Sequence, residues 1–305
     1  MAFRATFSCL WCGTDHATRS ADDLEGWAQL CPTCVGKAGD NGFLRARLRE
    51  ALAARSAGAR PVSVATEAGP PTPPSAPTPS DIDRAMVDYY DARAPEYDDW
   101  YLRRGRYARG AIHDAAWNTE LDMAGRWLDG LAWEGEIVEL AAGTGWWSPL
   151  LASRGELSLY DASPAALDRA RERLVAHGLR AHLHVRDAWA DPDREVDGVF
   201  MGFWLSHVPR ARLDAFLELI RSWLRPDGRV AFIDSLPDAA SGAADHPEPA
   251  DDLAVRRLAD GREFTIVKVY YEPDELLAAL EQAGFVDREV TTTGRFFVLG
   301  TARAG

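Results

Sequence analysis

From residue 138 onward, short apolar runs alternate with stretches whose apolar positions recur at helical spacing. The runs are residues 138–140 within VELAAGTG, 157–160 ending at Asp161, a third just before VRDAW and Asp187, 196–209 (VDGVFMGFWLSHVP) and 224–234 (LRPDGRVAFID). Between them Leu167, Ala170, Leu174 and His177, then Leu213, Phe216, Leu217 and Ile220, repeat every three or four positions, which predicts amphipathic helices. Buried strands alternating with helices predict an α/β fold with a doubly wound parallel sheet. A helix is expected to begin near Trp147, directly after the turn at Gly143 and Gly145.

That turn is where chemistry first enters. Glycines between a strand and a helix let the backbone approach a ligand closely, and the helix end offers unpaired N–H groups. Asp161, sixteen residues beyond Gly145, stands at the tip of the second run, where a carboxylate can accept both hydroxyls of a ribose. These features serve NAD as well. Against NAD, the turn reads GTGWWS, with Ser148 where a third glycine or an alanine is expected.

VELAAGTG, LYDASPAAL, VRDAW, FWLSHV and LRPDGRVAFID, in this order and spacing, resemble the sequential motifs of class I S-adenosylmethionine-dependent methyltransferases, in the branch that includes the ubiquinone and menaquinone methyltransferases. The likeness covers residues 85–303. It implies a mostly parallel seven-stranded sheet closed by an antiparallel C-terminal hairpin, for which FVDREVTTT and RFFVLGTA stand ready. By this resemblance Glu139 supports the methionine end of the cofactor, the turn at Ala141, Gly143 and Gly145 passes beneath it, Asp161 holds the ribose, and Asp187 and Ala188 face the adenine. Ala141 occupies a position where the family often has glycine. The segment YYDARAPEYDDWY (89–101) resembles the family's first helix lying over the cofactor, which makes Tyr90 and Tyr97 candidate contacts.

Acceptor selection is expected from the ends of strands and from inserted segments. Trp146 follows the glycine turn, Phe203 and Trp204 fall in the loop after the fourth strand, and Tyr270 and Tyr271 end REFTIVKVYY (262–271), whose alternation predicts a strand. The residues before it, SLPDAASGAADHPEPADD, read as a mobile loop, and a helix is expected from Pro273. His207 is the one candidate general base, since imidazole titrates near neutrality, although a histidine in such a loop also serves simply to order it.

Composition changes the picture at the N-terminus. The only cysteines, Cys9, Cys12, Cys31 and Cys34, form C-x2-C and C-x2-C separated by 18 residues, a spacing suited to a closed tetrahedral Zn2+ site of structural type. Residues 41–54 read as a short helix packed on that module. Residues 56–80 carry seven prolines among small residues and read as a semi-rigid linker. Three parts follow: a zinc module at 1–55, the linker at 56–80, and a methyltransferase domain at 81–305. A module so tethered suggests docking of a carrier or peptide, or a purely stabilising attachment.

Charge bears on the acceptor. The formal net charge is −13, and residues 81–305 hold 26 Lys plus Arg against 40 Asp plus Glu, a surface that repels nucleic acid unless the arginines between 45 and 60 form a patch. The loop FWLSHV also lacks the Asn-Pro-Pro-Tyr-like signature shared by exocyclic-amine methyltransferases. The favoured reading is a small-molecule acceptor, free or carried, with RNA methylation and a non-catalytic binding scaffold as alternatives. No run reaches the ~18 apolar residues of a membrane span, and MAFRATFSCLWCG lacks the apolar core of a secretory signal, so a cytoplasmic enzyme is expected.

Overall fold

The computed structural model describes residues 6–8, 15–17, 79–247 and 252–305. Contacts divide the chain into two units, Met1–Pro74 and Ser75–Gly305. In the first, β1 (Thr6–Ser8) and β2 (Asp15–Ala17) pair antiparallel, with Thr6 opposite Ala17. The cysteines Cys9, Cys12, Cys31 and Cys34, the expected helix at 41–54 and the linker up to residue 78 lie outside the described residues.

The second unit opens with α1 (Pro79–Arg93), so the last two residues assigned to the linker already belong to a helix. Proline at a first helical position costs nothing, because its missing N–H has no partner there in any helix. A single turn, α2 (Asp98–Tyr101), and the long α3 (Ala111–Gly130) follow.

The core is a seven-stranded sheet in the order β10-β11-β7-β6-β3-β4-β5. It comprises β3 (Glu136–Leu140), β4 (Glu156–Asp161), β5 (His182–Val185), β6 (Val196–Gly202), β7 (Leu224–Ser235), β10 (Phe285–Thr292) and β11 (Phe297–Ala304). β5-β4-β3-β6-β7 pair parallel, while β11 inserts antiparallel between β7 and β10. β3 is buried from Ile137 to Leu140 because helices cover both faces of the sheet, and this is why it reads as an unbroken apolar run.

Helices follow the predicted stripes. In α5 (Pro164–Ala176), which follows the five-residue α4 (Ser148–Ala152), Leu167, Ala170 and Leu174 are buried, and Ser163 caps the first turn by accepting the Ala166 N–H at 3.0 Å. His177, expected on the same stripe, is instead the exposed C-terminal cap. α6 (Leu213–Ser222) buries Leu213, Phe216, Leu217 and Ile220, each contributing about 1.5–3 kcal/mol of burial. α7 (Pro273–Gln282) starts where expected, with a capping box between Glu272 and Glu275.

Three boundaries differ from the sequence reading. β6 stops at Gly202, well short of 209, because Phe203 takes a left-handed φ of 60° and residues Leu205–His207 coil into a 3-10 turn. The strand expected over 262–271 is shorter, β9 (Glu263–Val267), and pairs antiparallel with an unforeseen β8 (Leu253–Arg257). The expected mobile loop is pinned over its described part. Trp100 Nε1 donates to the Ser241 carbonyl at 2.8 Å, and Arg103 and Arg109 donate to the Ala240 and Gly242 carbonyls at 2.7 and 3.0 Å. Among the described residues no helix is long and apolar enough to cross a membrane.

Candidate active site

β3 and β4 run parallel while the chain's next sheet neighbour of β3 is β6, so connections leave the C-terminal end of β3 in opposite directions and open a crevice there. The turn after β3 bends through positive φ at Ala141 (49°), Gly143 (55°) and Gly145 (69°). Ala141 therefore pays a left-handed strain that glycine would avoid, of about 1 kcal/mol.

Asp161 at the tip of β4 locks this turn. Its Oδ2 accepts the Gly143 N–H and its Oδ1 accepts the Ser163 N–H, both at 2.8 Å. Burial pushes the carboxyl up to about 6; the two N–H donors oppose that rise, and Asp187 and Asp91 add to it. Glu139 lies beneath the turn, 2% exposed, and accepts the Ser148 hydroxyl at 2.5 Å; burial raises it to about 8.

Gly145 has a packing role. A Cβ there would sit 2.7 Å from the Ala170 Cβ, on a backbone that side chains rarely adopt. Gly145→Ala is expected to destabilise the fold by about 2–4 kcal/mol through left-handed strain and overpacking, read as a lowered Tm. An unchanged Tm would mean that α5 does not press on the turn.

A cavity of about 170 Å³ opens over this crevice, lined by Ala141, Gly143, Asp161, Asp187, Ala188, Tyr90 and Tyr97 among others. These are the predicted cofactor residues except Glu139 and Gly145, which lie under the turn and do not reach the cavity. Met86 and Val87 of α1 form the cover, and Trp189, beneath the Arg212 guanidinium at 3.8 Å, walls one end. The cover is tied down at two points: Asp91 accepts the Ser163 hydroxyl at 2.6 Å, and Asp98 accepts Thr144 Oγ1 at 2.6 Å and the Arg173 guanidinium at 2.5 Å.

A second, smaller cavity of about 70 Å³ adjoins the first and shares Tyr90, Tyr97, Phe203 and His207 with it. Arg93, Arg256 and Lys268 line it, and among the described residues no carboxylate does. Arg93 is 8% exposed, lies 4.5 Å over the Tyr97 ring, donates to the Tyr107 hydroxyl at 3.2 Å, and keeps a buried Nε without a partner. Lys268 donates to the Ser206 and Ser235 hydroxyls at 2.9 and 3.2 Å and stands 3.9 Å from Asp234, with burial lowering it to about 8. The buried Ser241 hydroxyl on the same wall also lacks a partner.

His207 sits on the partition, 6% exposed. Its Nδ1 is 2.6 Å from the Val267 carbonyl and its Nε2 is 2.6 Å from the Tyr90 hydroxyl. Burial first, and then the nearby Lys268 charge, pushes its pKa down to about 3.

Of the predicted acceptor residues, Phe203 lines both cavities, Trp204 the first and Tyr270 the second. Trp146 and Tyr271 line neither. Trp146 stacks flat on Tyr101 at 4.2 Å, and the Tyr271 hydroxyl is used up on the Val208 carbonyl at 2.7 Å. Sequence reading gave no role to Arg93, Arg256, Lys268 or Trp189, although Trp189 ends VRDAW, Arg93 lies within YYDARAPEYDDWY and Lys268 within REFTIVKVYY. Among the described residues no cluster of His, Cys, Asp or Glu is arranged to hold a metal.

Comparison with known proteins agrees with this geometry. A family model described as a methyltransferase domain matches residues 137–228. The solved DhpI–SAH complex is 31% identical, covers 75% of this chain and 99% of that one, and superposes with a TM-score of 0.61. The DhpI–SAM–HEP complex is also 31% identical, over 73% and 97% of the two chains, with a TM-score of 0.58. The PH0226 protein from Pyrococcus horikoshii OT3, 16% identical over 68% of this chain and 98% of that one, shares the fold at a TM-score of 0.50. No curated protein matches the chain significantly.

Proposed function

Because the chain belongs to the class I S-adenosylmethionine-dependent methyltransferases, we propose that its methyl acceptor is a free small molecule bearing an oxyanion, bound in the second cavity. The observation that carries this reading is the cavity's lining of three cationic side chains, with no carboxylate among the described residues, inside a chain of net charge −13. Its volume of about 70 Å³ suits a headgroup of roughly five water-sized positions, which favours a free acceptor over a carrier-bound chain or RNA. Similarity to DhpI, solved with SAM and HEP, supports a small acceptor.

The first cavity fits the cofactor by its donor set. Asp161 would take the ribose hydroxyls, Ala188 and Trp189 the adenine, and Gly143 and Thr144 the methionine end, with Asp187 beside the base and Glu139 and Gly145 supporting the turn from below. When bound, S-adenosylmethionine supplies a methyl group already activated by its sulfonium. The protein's work is then alignment and exclusion of water, performed by α1, Tyr97 and the polar ties of Asp91 and Asp98.

No competent base lines the partition. His207 is held near 3 with its free nitrogen engaged by Tyr90, and burial keeps the Tyr90 and Tyr97 phenols well above their ordinary range. A nucleophile that arrives already ionised needs none. An oxyanion anchored by Arg93, Arg256 and Lys268 meets that condition, and its methyl ester, one negative charge poorer, is held less tightly and leaves.

Calorimetric titration of the S-adenosylhomocysteine-loaded protein with inorganic phosphate tests the reading. Saturable binding that weakens with salt is expected, and absence of phosphate binding together with binding of a neutral analogue would overturn it. NAD should not bind.

For the N-terminal unit we propose one structural zinc held by Cys9, Cys12, Cys31 and Cys34, supported by their spacing. Metal analysis of the full chain is expected to find one zinc per chain, lost in Cys9→Ser with Cys34→Ser. A metal-free wild-type protein would refute the site.

A further inference from the structure

The partition between the two cavities is assembled from three separate elements: Tyr90 from α1, His207 from the turn after β6, and Val267 from the end of β9. With the ring neutral, as burial favours, the partners fix the tautomer. The Val267 carbonyl can only accept, so at 2.6 Å His207 Nδ1 must carry the proton. Nε2 is then bare and accepts the Tyr90 hydroxyl proton at 2.6 Å. Burial favours the neutral ring, in which Tyr90 donates; a protonated ring would reverse that bond, Nε2–H donating to the Tyr90 oxygen.

We infer that His207 is a positioning residue acting through Tyr90, and that the Tyr90–His207–Val267 relay fixes the acceptor cavity's wall to the cover of the cofactor cavity. The inference rests on the two-cavity reading of the site. It gives the buried histidine a use other than proton abstraction and explains why its two nitrogens point to two different elements. The consequence is directional. A ligand that seats α1 over the first cavity also draws β9 into place, and β8 with it, although neither strand lines that first cavity. Cofactor and acceptor binding thus favour one another. Tyr89 touches Phe264 of β9 as well, at 5.6 Å between ring centres, but that apolar contact carries no hydrogen-bond register.

Hydrogen exchange on the full chain, with S-adenosylhomocysteine as the probe, reads this coupling without any acceptor. The wild-type protein is expected to gain protection in residues 253–267 on binding, whereas Tyr90→Phe and His207→Asn, each compared at its own saturating probe concentration, keep protection in the turn after β3 yet lose that remote protection. Tyr90→Phe keeps the ring beside Tyr89 and Tyr97 and leaves the Tyr89–Phe264 contact in place, so it isolates the relay. His207→Gln, whose amide oxygen takes the place of Nε2, is expected to restore part of it. Side-chain nitrogen NMR of His207 supplies an independent readout: a single Nδ1–H tautomer that does not titrate down to about pH 5. A ring that titrates near its ordinary value, an Nε2–H tautomer, or remote protection preserved in both variants would overturn the relay. Failure of phosphate binding would instead strike the oxyanion reading and leave these measurements intact.

Discussion

Lys268→Met is expected to weaken binding of a probe anion such as inorganic phosphate roughly 10²-fold, with S-adenosylhomocysteine affinity unchanged. Lys268 is the cation set between the Ser206 and Ser235 hydroxyls on the wall of the second cavity, and it does not line the first. A charge-assisted hydrogen bond contributes about 1.5–3 kcal/mol, and the lost Coulomb attraction in a partly desolvated cavity adds to it. The pH dependence has a definite sign. Burial lowers this lysine to about 8, so the wild-type cavity holds its full charge below that value and loses it as pH rises through it. A bound anion favours the charged form and moves the midpoint upward. Phosphate affinity measured by calorimetry should therefore decline on the alkaline side in the wild type and be flat there in Lys268→Met. Equal affinities in the two proteins would remove Lys268 from the acceptor site.

Asp161→Ala is expected to cost S-adenosylhomocysteine at least tenfold in affinity, and up to about 10²-fold, because the carboxylate also secures the Gly143 and Ser163 amides that shape the turn. Here the sign is opposite. Burial raises this carboxyl to about 6, so the ionised, hydrogen-bond-accepting form prevails above that pH and is lost as pH falls through it. Cofactor affinity should accordingly drop on the acid side in the wild type. Asp161→Asn, which cannot titrate, should bind more weakly but without the acid limb. A wild-type profile that is flat from pH 5 to 8, with normal affinity in Asp161→Ala, would place the ribose elsewhere.

The lining of the first cavity was legible in the sequence because its signals are local. β3 and β4 are buried on both faces and end abruptly, so apolar runs point straight at the turn and at Asp161. The same two-sided burial misled the reading of 196–209. Apolarity there continues past Gly202 because Phe203, Leu205 and Val208 pack or line cavities, while the left-handed φ of Phe203, not its hydrophobicity, ends the strand. Trp146 suffered the converse error: an aromatic beside a glycine turn looks like a ligand contact, yet its stacking partner, Tyr101, comes from a helix remote in sequence. In the second cavity the aromatic positions Phe203 and Tyr270 were legible, but its cations carried no local signal. Arg93 ends α1, Arg256 lies in β8 and Lys268 follows β9, and they meet only because the inserted hairpin folds against α1. β8 itself is five residues long with an exposed arginine at its end, too brief to register as a strand. The loop taken as mobile is held by arginine side chains donating to its carbonyls, a bond that depends on the partner's sequence position and not on the loop's own composition.

The measurement that bears most directly on this account pairs acceptors of one carbon skeleton, one bearing an oxyanion such as a carboxylate or phosphonate and the other its neutral amide, and incubates each with the full-length protein and S-adenosylmethionine. Mass spectrometry with fragmentation then locates any added methyl group. The account predicts a methyl ester on the anionic oxygen, formed by the charged member of a pair and not by its neutral partner. Methylation of a neutral hydroxyl, amine or carbon at an equal or greater rate, with the charged member unchanged, would contradict it.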